Sequence, residues 1–449
     1  ELLAQGERRL SSYASVCREW QSVMEEHTFR RLKLRVSCLD EFERAVVGPR
    51  RRYVKHVWLN IEFRPYTCRV CQSPLSEKWK YRDTPIMGQA ISRLFSILGT
   101  WPSATDELTV EFSAQSPSDS QHWFKDYHFG AHGADEARDL LPVQFHDPVH
   151  YWENGRQLDL PPKHALWRLY GRSGVRLQPE PATVPAVTGL VIRRQCRNRI
   201  LPKTLQEILF RLGRLKCLVY EPWRVGEYFL PRNVKRLSLF EDFSEDYLRQ
   251  CPVEIQRRTP NRAVGEAFAR RSIDLEQLSV SFIIDACDFF RAHQHDLTPW
   301  TWNHLQSLVL TSPLLAPLEH RLAPDATPER ISAFLREAAA AALRMPRLEI
   351  MALWNYLEGD GGVLIYTRDM RDPVLTLQST WGMMLEPEVR EAWTEVPSRY
   401  TPVELRFPIL PLLDVVRSRG DFIQQLNLPP GVLDPGSLSQ MRREGRSYR

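Results

Sequence analysis

The feature that most constrains the fold of this chain is a short apolar pattern that recurs seven times. Each copy has an apolar residue, two further residues, a second apolar residue, one further residue and a third apolar residue. The two positions after the first apolar residue are mostly polar, as in Lys235-Arg236, which is typical of a half-buried β-strand. The copies begin at Val54, Val187, Leu215, Val234, Leu275, Leu305 and Leu348.

Helical segments precede several of these strands. An apolar helical face over 87–98 ends at Gly99 and is followed by an alternating strand over 108–112. A second helix over 205–212 ends before Gly213. A third begins with Thr327 as its N-cap and ends before Pro346. Helices that alternate with strands predict an α/β domain.

The strand pattern is that of the strand half of a leucine-rich repeat, in which stacked strands line one face of the domain. From Val187 onward, successive copies begin 28, 19, 41, 30 and 43 residues apart. Regular leucine-rich repeats have a period of about 20–29 residues. We therefore expect an irregular leucine-rich-repeat-like α/β domain with insertions.

Changes in composition divide the chain into five regions. Residues 1–34 have helical spacing, and residues 35–112 hold the first strand and helix units. Residues 113–185 are loop-rich and carry many aromatic residues, which predicts a long insertion. Residues 186–428 form the repeat-like domain, closed by a hairpin of Val363–Arg368 and Pro373–Ser379 after the glycine-rich loop 359–362. Residues 429–449 are expected to form a flexible tail.

The composition excludes several classes of protein. A net charge of +5 over 449 residues gives no concentrated basic face, so we expect no nucleic-acid partner. Eight thinly spread cysteines indicate a reducing compartment, the cytoplasm or the nucleus. No run of about 18 apolar residues exists, so no membrane span is expected. Because the chain begins at Glu1 without methionine, we expect the natural N-terminus upstream.

The N-terminal region carries the most specific motif. The run Leu10-Ser-Ser-Tyr-Ala-Ser-Val-Cys-Arg-Glu-Trp20, followed by Phe29-Arg-Arg-Leu32, resembles the second half of an F-box. The family's opening Leu-Pro-x-Glu helix would lie upstream, with Glu1-Leu2-Leu3 as its last turn. The resemblance implies a small helical bundle whose apolar face is completed by the adaptor Skp1. The residues that form or support this interface would be Leu10, Tyr13, Val16, Cys17 and Trp20.

The rest of the chain resembles fungal F-box-like proteins of unassigned substrate. The likeness is carried by segments 53–59, 66–71, 116–124, 220–224 and 239–243. It implies a non-catalytic substrate-recognition subunit of a Skp1–cullin–F-box ubiquitin ligase, which binds a protein client through the repeat domain. The alternative is an amphipathic helix pair at residues 10–32 that only packs on this domain, in a protein-interaction scaffold without ligase docking.

Catalytic motifs are absent from the sequence. There is no Gly-x-Ser-x-Gly elbow and no glycine-rich phosphate loop, so we expect no enzyme. Cys68-x-x-Cys71 is the best metal candidate, but no second Cys-x-x-Cys exists. The histidine pairs His128/His132 and His146/His150 lie far downstream. We therefore expect no metal or cofactor, and a zinc-dependent protein using the Cys68/Cys71 loop stays an alternative.

Aromatic residues and an arginine follow the ends of two predicted strands, where stacked-repeat proteins place side chains for recognition. Aromatic and arginine side chains contribute most to binding surfaces. The candidate client-binding residues are therefore Trp223, Arg224, Trp354 and Tyr356. Packing of the tryptophans in the core is the alternative.

Overall fold

The fold is taken from a computed structural model of the chain. It describes residues 18–447 except for several internal segments. These are 75–82, 104–106, 128–144, 174, 176, 180–182, 224–230, 245–258, 293–299, 317–326, 369–371, 400–402, 409, 411, 413–415, 417 and 427.

The described residues form a mixed α/β protein with thirteen α-helices and a large, mostly parallel sheet. The helices are α1 Arg18–Arg30, α2 Leu39–Ala45, α3 Arg50–Tyr53, α4 Cys68–Cys71, α5 Thr84–Gly99, α6 Lys163–Leu169, α7 Pro202–Arg211, α8 Arg262–Ser272, α9 Ala286–Arg291, α10 Pro328–Ala342, α11 Pro387–Ser398, α12 Arg419–Gln425 and α13 Pro435–Ser447. Among them, none is long and apolar enough to cross a membrane.

The strands follow the same order along the chain. They are β1 Arg31–Arg35, β2 His56–Glu62, β3 Thr109–Gln115, β4 Trp152–Glu153, β5 Arg156–Gln157, β6 Arg172–Ser173, β7 Gly189–Ile192, β8 Arg199–Ile200, β9 Cys217–Tyr220, β10 Arg236–Phe240, β11 Gln277–Ser281, β12 Ser307–Thr311, β13 Ile350–Leu357, β14 Asp360–Thr367 and β15 Val374–Ser379.

All seven strands that the apolar pattern predicts are confirmed. Each begins two residues after the first apolar residue of its copy, as β2 begins at His56 after Val54. All three apolar positions of every copy are buried. The residue after the first apolar position extends the hydrogen-bond ladder by one residue before each strand begins. The amide of Glu276 donates to the carbonyl of Lys235, and the amide of Gln306 donates to the carbonyl of Glu276.

The chain divides into two compact units. The first comprises Glu1–Asp119, His164–Leu218 and Gly226–Val234. In it, β1, β2, β3 and β7 are parallel neighbours in that order. Helix α5, predicted from its apolar face, buries Met87, Ile91 and Leu94 completely. Its proline at the second position suits a helix start, since the missing N–H has no intrahelical partner there.

The second unit comprises Ser120–Lys163, Val219–Val225 and Lys235–Arg449. Strands β10 to β13 are parallel, whereas β14 and β15 are antiparallel to their neighbours. The predicted closing hairpin is therefore present as β14 and β15.

A second hairpin joins β13 to β14. Asp360 already starts β14, so the glycine-rich segment 359–362 lies mostly within this strand. The turn between β13 and β14 consists of Glu358 and Gly359, both with positive φ, which suits a two-residue hairpin.

Where the sequence predicted a flexible tail over 429–449, the structure has helix α13, and helix α12 lies just before this segment. Phe422 of α12, with Val432 and Met441, belongs to a buried cluster on β10–β14. Helix α13 is polar overall, so its few core-facing residues escaped the prediction. The hydroxyl of Ser437 and the amide of Asp434 both donate to the buried carboxylate of Glu221.

The predicted insertion at 113–185 contains regular structure in its described part. Strand β3 extends to Gln115, and β4 and β5 form a tight hairpin through Asn154 and Gly155, both with positive φ. Helix α6 follows. The aromatic side chains account for this order, since Trp123, Phe124 and Trp152 are all buried.

Candidate docking surface

Helix α1 carries the described part of the F-box-like motif. Trp20 and Val23 are 41% and 52% exposed, and their spacing of three residues places them on one side of the helix. The other side is held in place by α3, since Glu25 pairs with Arg50 at 2.7 Å. Met24 is buried. Helix α1 is thus anchored on one side and presents large apolar side chains on the other.

The remaining predicted docking residues, Leu10, Tyr13, Val16 and Cys17, lie outside the described residues. Val23 was not predicted. Its spacing from Trp20 was the available signal, but Val23 lies beyond the end of the F-box-like motif at Trp20.

The predicted client-binding residues are placed in the interior. Trp223, Trp354 and Tyr356 are buried. Trp354 packs against Phe282 with ring centroids 5.1 Å apart, and Tyr356 stacks on Phe422 of α12 at the same separation. The expectation of an exposed recognition edge is therefore corrected for these three residues: they pack in the core. Arg224 lies outside the described residues.

A charged stack that the sequence did not reveal lies on the strands of the first unit. Lys33 of β1 and Arg193 both approach the ring of Trp58, at 4.0 and 4.6 Å from its centre. Arg193 also pairs with the buried carboxylate of Glu111, which accepts a second contact from His56 at 3.1 Å. Desolvation, and then the charge of Arg193, lowers the pKa of Lys33.

The two thiols of the Cys68-x-x-Cys71 motif lie on the single turn of α4. Their Sγ atoms are 3.9 Å apart, so no disulfide joins the two residues. Cys71 is buried and Cys68 is exposed. The turn is closed by the amide of Val70, which donates to the carbonyl of Thr67.

The segment before these thiols is fixed by a buried polar network. The hydroxyl of Tyr66 donates to Asp119 at 2.8 Å, and the amide of Tyr66 donates to Ser118. Asp119 accepts a further bond from the amide of Ser116. Burial raises the pKa of Asp119 to about 6, although both hydrogen bonds oppose the change. The residues near Asp119 in sequence are thereby tied to the chain just before Cys68.

Two histidines face each other in the aromatic-rich region. The rings of His122 and His150 have centroids 5.0 Å apart. Nδ1 of His150 lies 2.8 Å from a carboxylate oxygen of Asp147, and Lys125 contacts the same oxygen at 2.7 Å. Burial would raise the pKa of Asp147, but the hydrogen bonds from Lys125 and His150 outweigh it and lower the pKa.

The backbone beside His122 is held by the β4–β5 hairpin. The carbonyl of Trp123 accepts hydrogen bonds from the Trp152 indole and from the Gln157 amide, both at 3.0 Å. The Trp123 ring meets His150 edge-on. The hairpin therefore holds the backbone next to His122, and His150 lies just before its first strand.

The sequence paired His150 with His146, whereas the ring that faces His150 in the structure is that of His122. His122 was missed because this approach depends on the contacts of the β4–β5 hairpin with Trp123, which are tertiary.

Comparison with known proteins gives one match. Residues 229–434 match a family of unknown function, DUF6546, which is less than half of the chain. The match begins before β10 and ends after α12, so it covers β10–β15 and α12 and with them most of the buried cluster that contains Trp354. No curated protein and no solved structure matches the chain.

Proposed function

We propose that this protein is the substrate-recognition subunit of a Skp1–cullin–F-box ubiquitin ligase, without catalytic residues of its own. The observation that carries the proposal is the exposure of Trp20 and Val23 on a helix that is otherwise anchored. Exposed apolar side chains that lie together on an anchored helix mark a surface for a partner. In the F-box that this region resembles, that partner is Skp1.

The remainder of the chain suits client recognition. An irregular leucine-rich-repeat-like stack requires strands that share one apolar pattern and are joined by hydrogen bonds. Seven strands share the pattern, and β10, β11 and β12 are joined in this way. Such a stack offers an extended surface to a protein client. The buried positions of Trp223, Trp354 and Tyr356 mean that other side chains would contact the client.

The competing function, an interaction scaffold without ligase docking, makes a different demand on α1. It requires the apolar stripe that contains Trp20 to be buried against the rest of the chain. Trp20 is 41% exposed, which favours the adaptor.

Co-purification of the full-length protein with Skp1 tests the proposal. We expect Skp1 to be captured, and expect Val16→Asp, Trp20→Ala and Val23→Asp each to abolish capture, because each removes apolar surface from the interface. Phe210→Asp is the matched control, since Phe210 is 79% exposed on α7. Absence of Skp1 from the intact protein would refute the proposal, as would equal loss in the Phe210 variant.

A further inference from the structure

We propose that strand β1 binds an extended, acidic segment of a protein client, which adds to the sheet of the first unit as a further strand. The observation that carries the inference is a row of three exposed cations, Arg31, Lys33 and Arg35, on an edge strand. The inference rests on the client-recognition part of the proposed function, but it does not require docking to Skp1.

Strand β1 lies at the edge of the sheet. Its strand neighbour within the described ranges is β2, on which His56 to Asn60 pair in parallel register with Arg31 to Arg35. The outer side of an edge strand presents backbone N–H and C=O groups that serve as a template for a further strand. Because the three cations are exposed, the surface beside β1 is open to a partner.

Strand β15 of the second unit shows how this chain covers an edge with its own backbone. The amide of Leu375 donates to the carbonyl of Arg406, and the amide of Arg406 donates to the carbonyl of Pro373. Further along the same strand, the amide of Leu410 donates to the carbonyl of Leu377. Among the residues that the structure describes, no segment makes such bonds to the outer side of β1.

The side chains of β1 alternate between the two faces of the sheet. Leu34 is buried and Leu32 is half-buried on one face, whereas the three cations lie on the other. In an added strand, every second side chain would lie beside a cation and those between would lie beside the leucines. The segment that fits therefore alternates acidic and apolar residues along the five residues of β1.

Two of the cations are held in position. Lys33 lies over the ring of Trp58, 4.0 Å from its centre. Arg35 pairs with Glu62 at 3.3 Å, but both side chains are exposed, so water and salt screen this pair and it holds Arg35 only weakly. The row can therefore contact the acidic side chains of an added strand without a large rearrangement.

The charges of β1 select the occupant of this edge. Like charges that lie directly opposite each other destabilise a strand pair, whereas opposite charges stabilise it. A second copy of β1 would place cations against cations, and cationic edges are a known device against such self-pairing. The same row favours an acidic strand from another protein.

Fluorescence anisotropy of a labelled peptide, Ser-Glu-Val-Glu-Val-Glu-Ser, titrated with the full chain tests the inference. We expect saturable binding that weakens as the ionic strength rises. The same peptide with glutamine at its three acidic positions should bind roughly 3- to 100-fold more weakly. A version with methylated backbone nitrogens keeps the charges but cannot donate hydrogen bonds to β1, so its binding should be lost.

Charge reversal on β1 supplies the matched variants. Arg31→Glu and Arg35→Glu should each weaken binding of the acidic peptide about 3- to 10-fold. Arg347→Glu, which changes an exposed arginine in the second unit, should bind as the wild type does. The double variant Arg31→Glu/Arg35→Glu should bind a lysine version of the peptide more tightly than the wild type does, a gain that an unfolded chain would not show.

Three results would overturn the inference: no saturable binding of the acidic peptide, equal binding of its methylated version, or tighter binding of a single-stranded oligonucleotide of the same charge. Capture of Skp1 by the same variants keeps the two proposals apart. Skp1 captured without peptide binding contradicts the inference about β1 alone, whereas peptide binding without Skp1 contradicts only the docking to the ligase.

Discussion

The carboxylate of Asp147 bridges Nδ1 of His150 and Nζ of Lys125, at 2.8 and 2.7 Å. These two contacts outweigh burial and lower the pKa of Asp147. We expect Asp147→Ala to lower the free energy of unfolding by about 1.5–3 kcal/mol, the usual contribution of a hydrogen bond to a charged group. Urea denaturation measures the change.

Asp159→Ala is the control for this prediction, because Asp159 is exposed and lies on the same part of the chain. The control should unfold as the wild type does. Unchanged stability in Asp147→Ala would show that the ring of His150 is held by packing against Trp123 rather than by the carboxylate.

The strands could be predicted from the sequence because their signal is local. Each copy of the pattern buries three apolar residues, so Leu278 or Leu308 identifies its strand without knowledge of the neighbours. The helix that Thr327 caps is local in the same sense: its hydroxyl accepts from the amide of Arg330, three residues away.

The features that escaped prediction depend on contacts distant in sequence. Trp354 was predicted to lie on a recognition surface near the end of a strand. Phe422, about seventy residues later in the chain, belongs to the cluster in which Trp354 is buried. The hydroxyl of Tyr66 donates to Asp119 across more than fifty residues of sequence. No spacing rule within one segment contains such information.

Burial of Asp119 makes a pH-dependent contribution to stability. Its pKa is raised from 3.8 to about 6, with burial as the cause. A raised pKa in an acid means that the folded state holds the proton more tightly, so the contribution is present at low pH and is lost as the pH rises through about 6. This rise in the pKa of Asp119 corresponds to roughly 3 kcal/mol in the free energy of unfolding.

The test compares the wild type with Asp119→Asn, which imitates the protonated acid at every pH. We expect the free energy of unfolding of the wild type, relative to the variant, to fall by up to about 3 kcal/mol between about pH 4 and pH 7. Urea denaturation at several pH values measures it. Asp159→Asn should show no such change relative to the wild type, and a flat difference for Asp119→Asn would contradict the prediction.

Arg419 is a buried cation within the region that matches the DUF6546 family. It donates to Asp242 and, at 2.7 Å, to the carbonyl of Phe243, and it lies over the Phe243 ring at 3.9 Å. We expect Arg419→Met to lower the free energy of unfolding by about 3–5 kcal/mol, because it leaves the carboxylate of Asp242 buried without its counter-charge.

A double-mutant cycle identifies the charge as the cause. If the ion pair dominates, Arg419→Met combined with Asp242→Asn should cost clearly less than the sum of the two single changes. Additive costs would instead assign the loss to packing of the arginine stem against the phenylalanine.

The backbone of Gly361 lies close against the ring of Phe422. A Cβ atom at position 361 would lie 2.6 Å from Cζ of Phe422, which is too short for any Cβ contact. The ring has little room to move, since it is buried and stacks on Tyr356. We expect Gly361→Ala to destabilise the protein by about 1–3 kcal/mol through overpacking.

Gly213→Ala provides the matched control, because a Cβ there meets nothing within 4 Å. Introducing Phe422→Leu into Gly361→Ala should reduce the additional cost of the alanine, since the smaller side chain removes the clash. Urea denaturation of Gly361→Ala, Gly213→Ala, Phe422→Leu and the double variant decides the matter. Equal losses in Gly361→Ala and Gly213→Ala would mean that α12 does not pack on β14 as described.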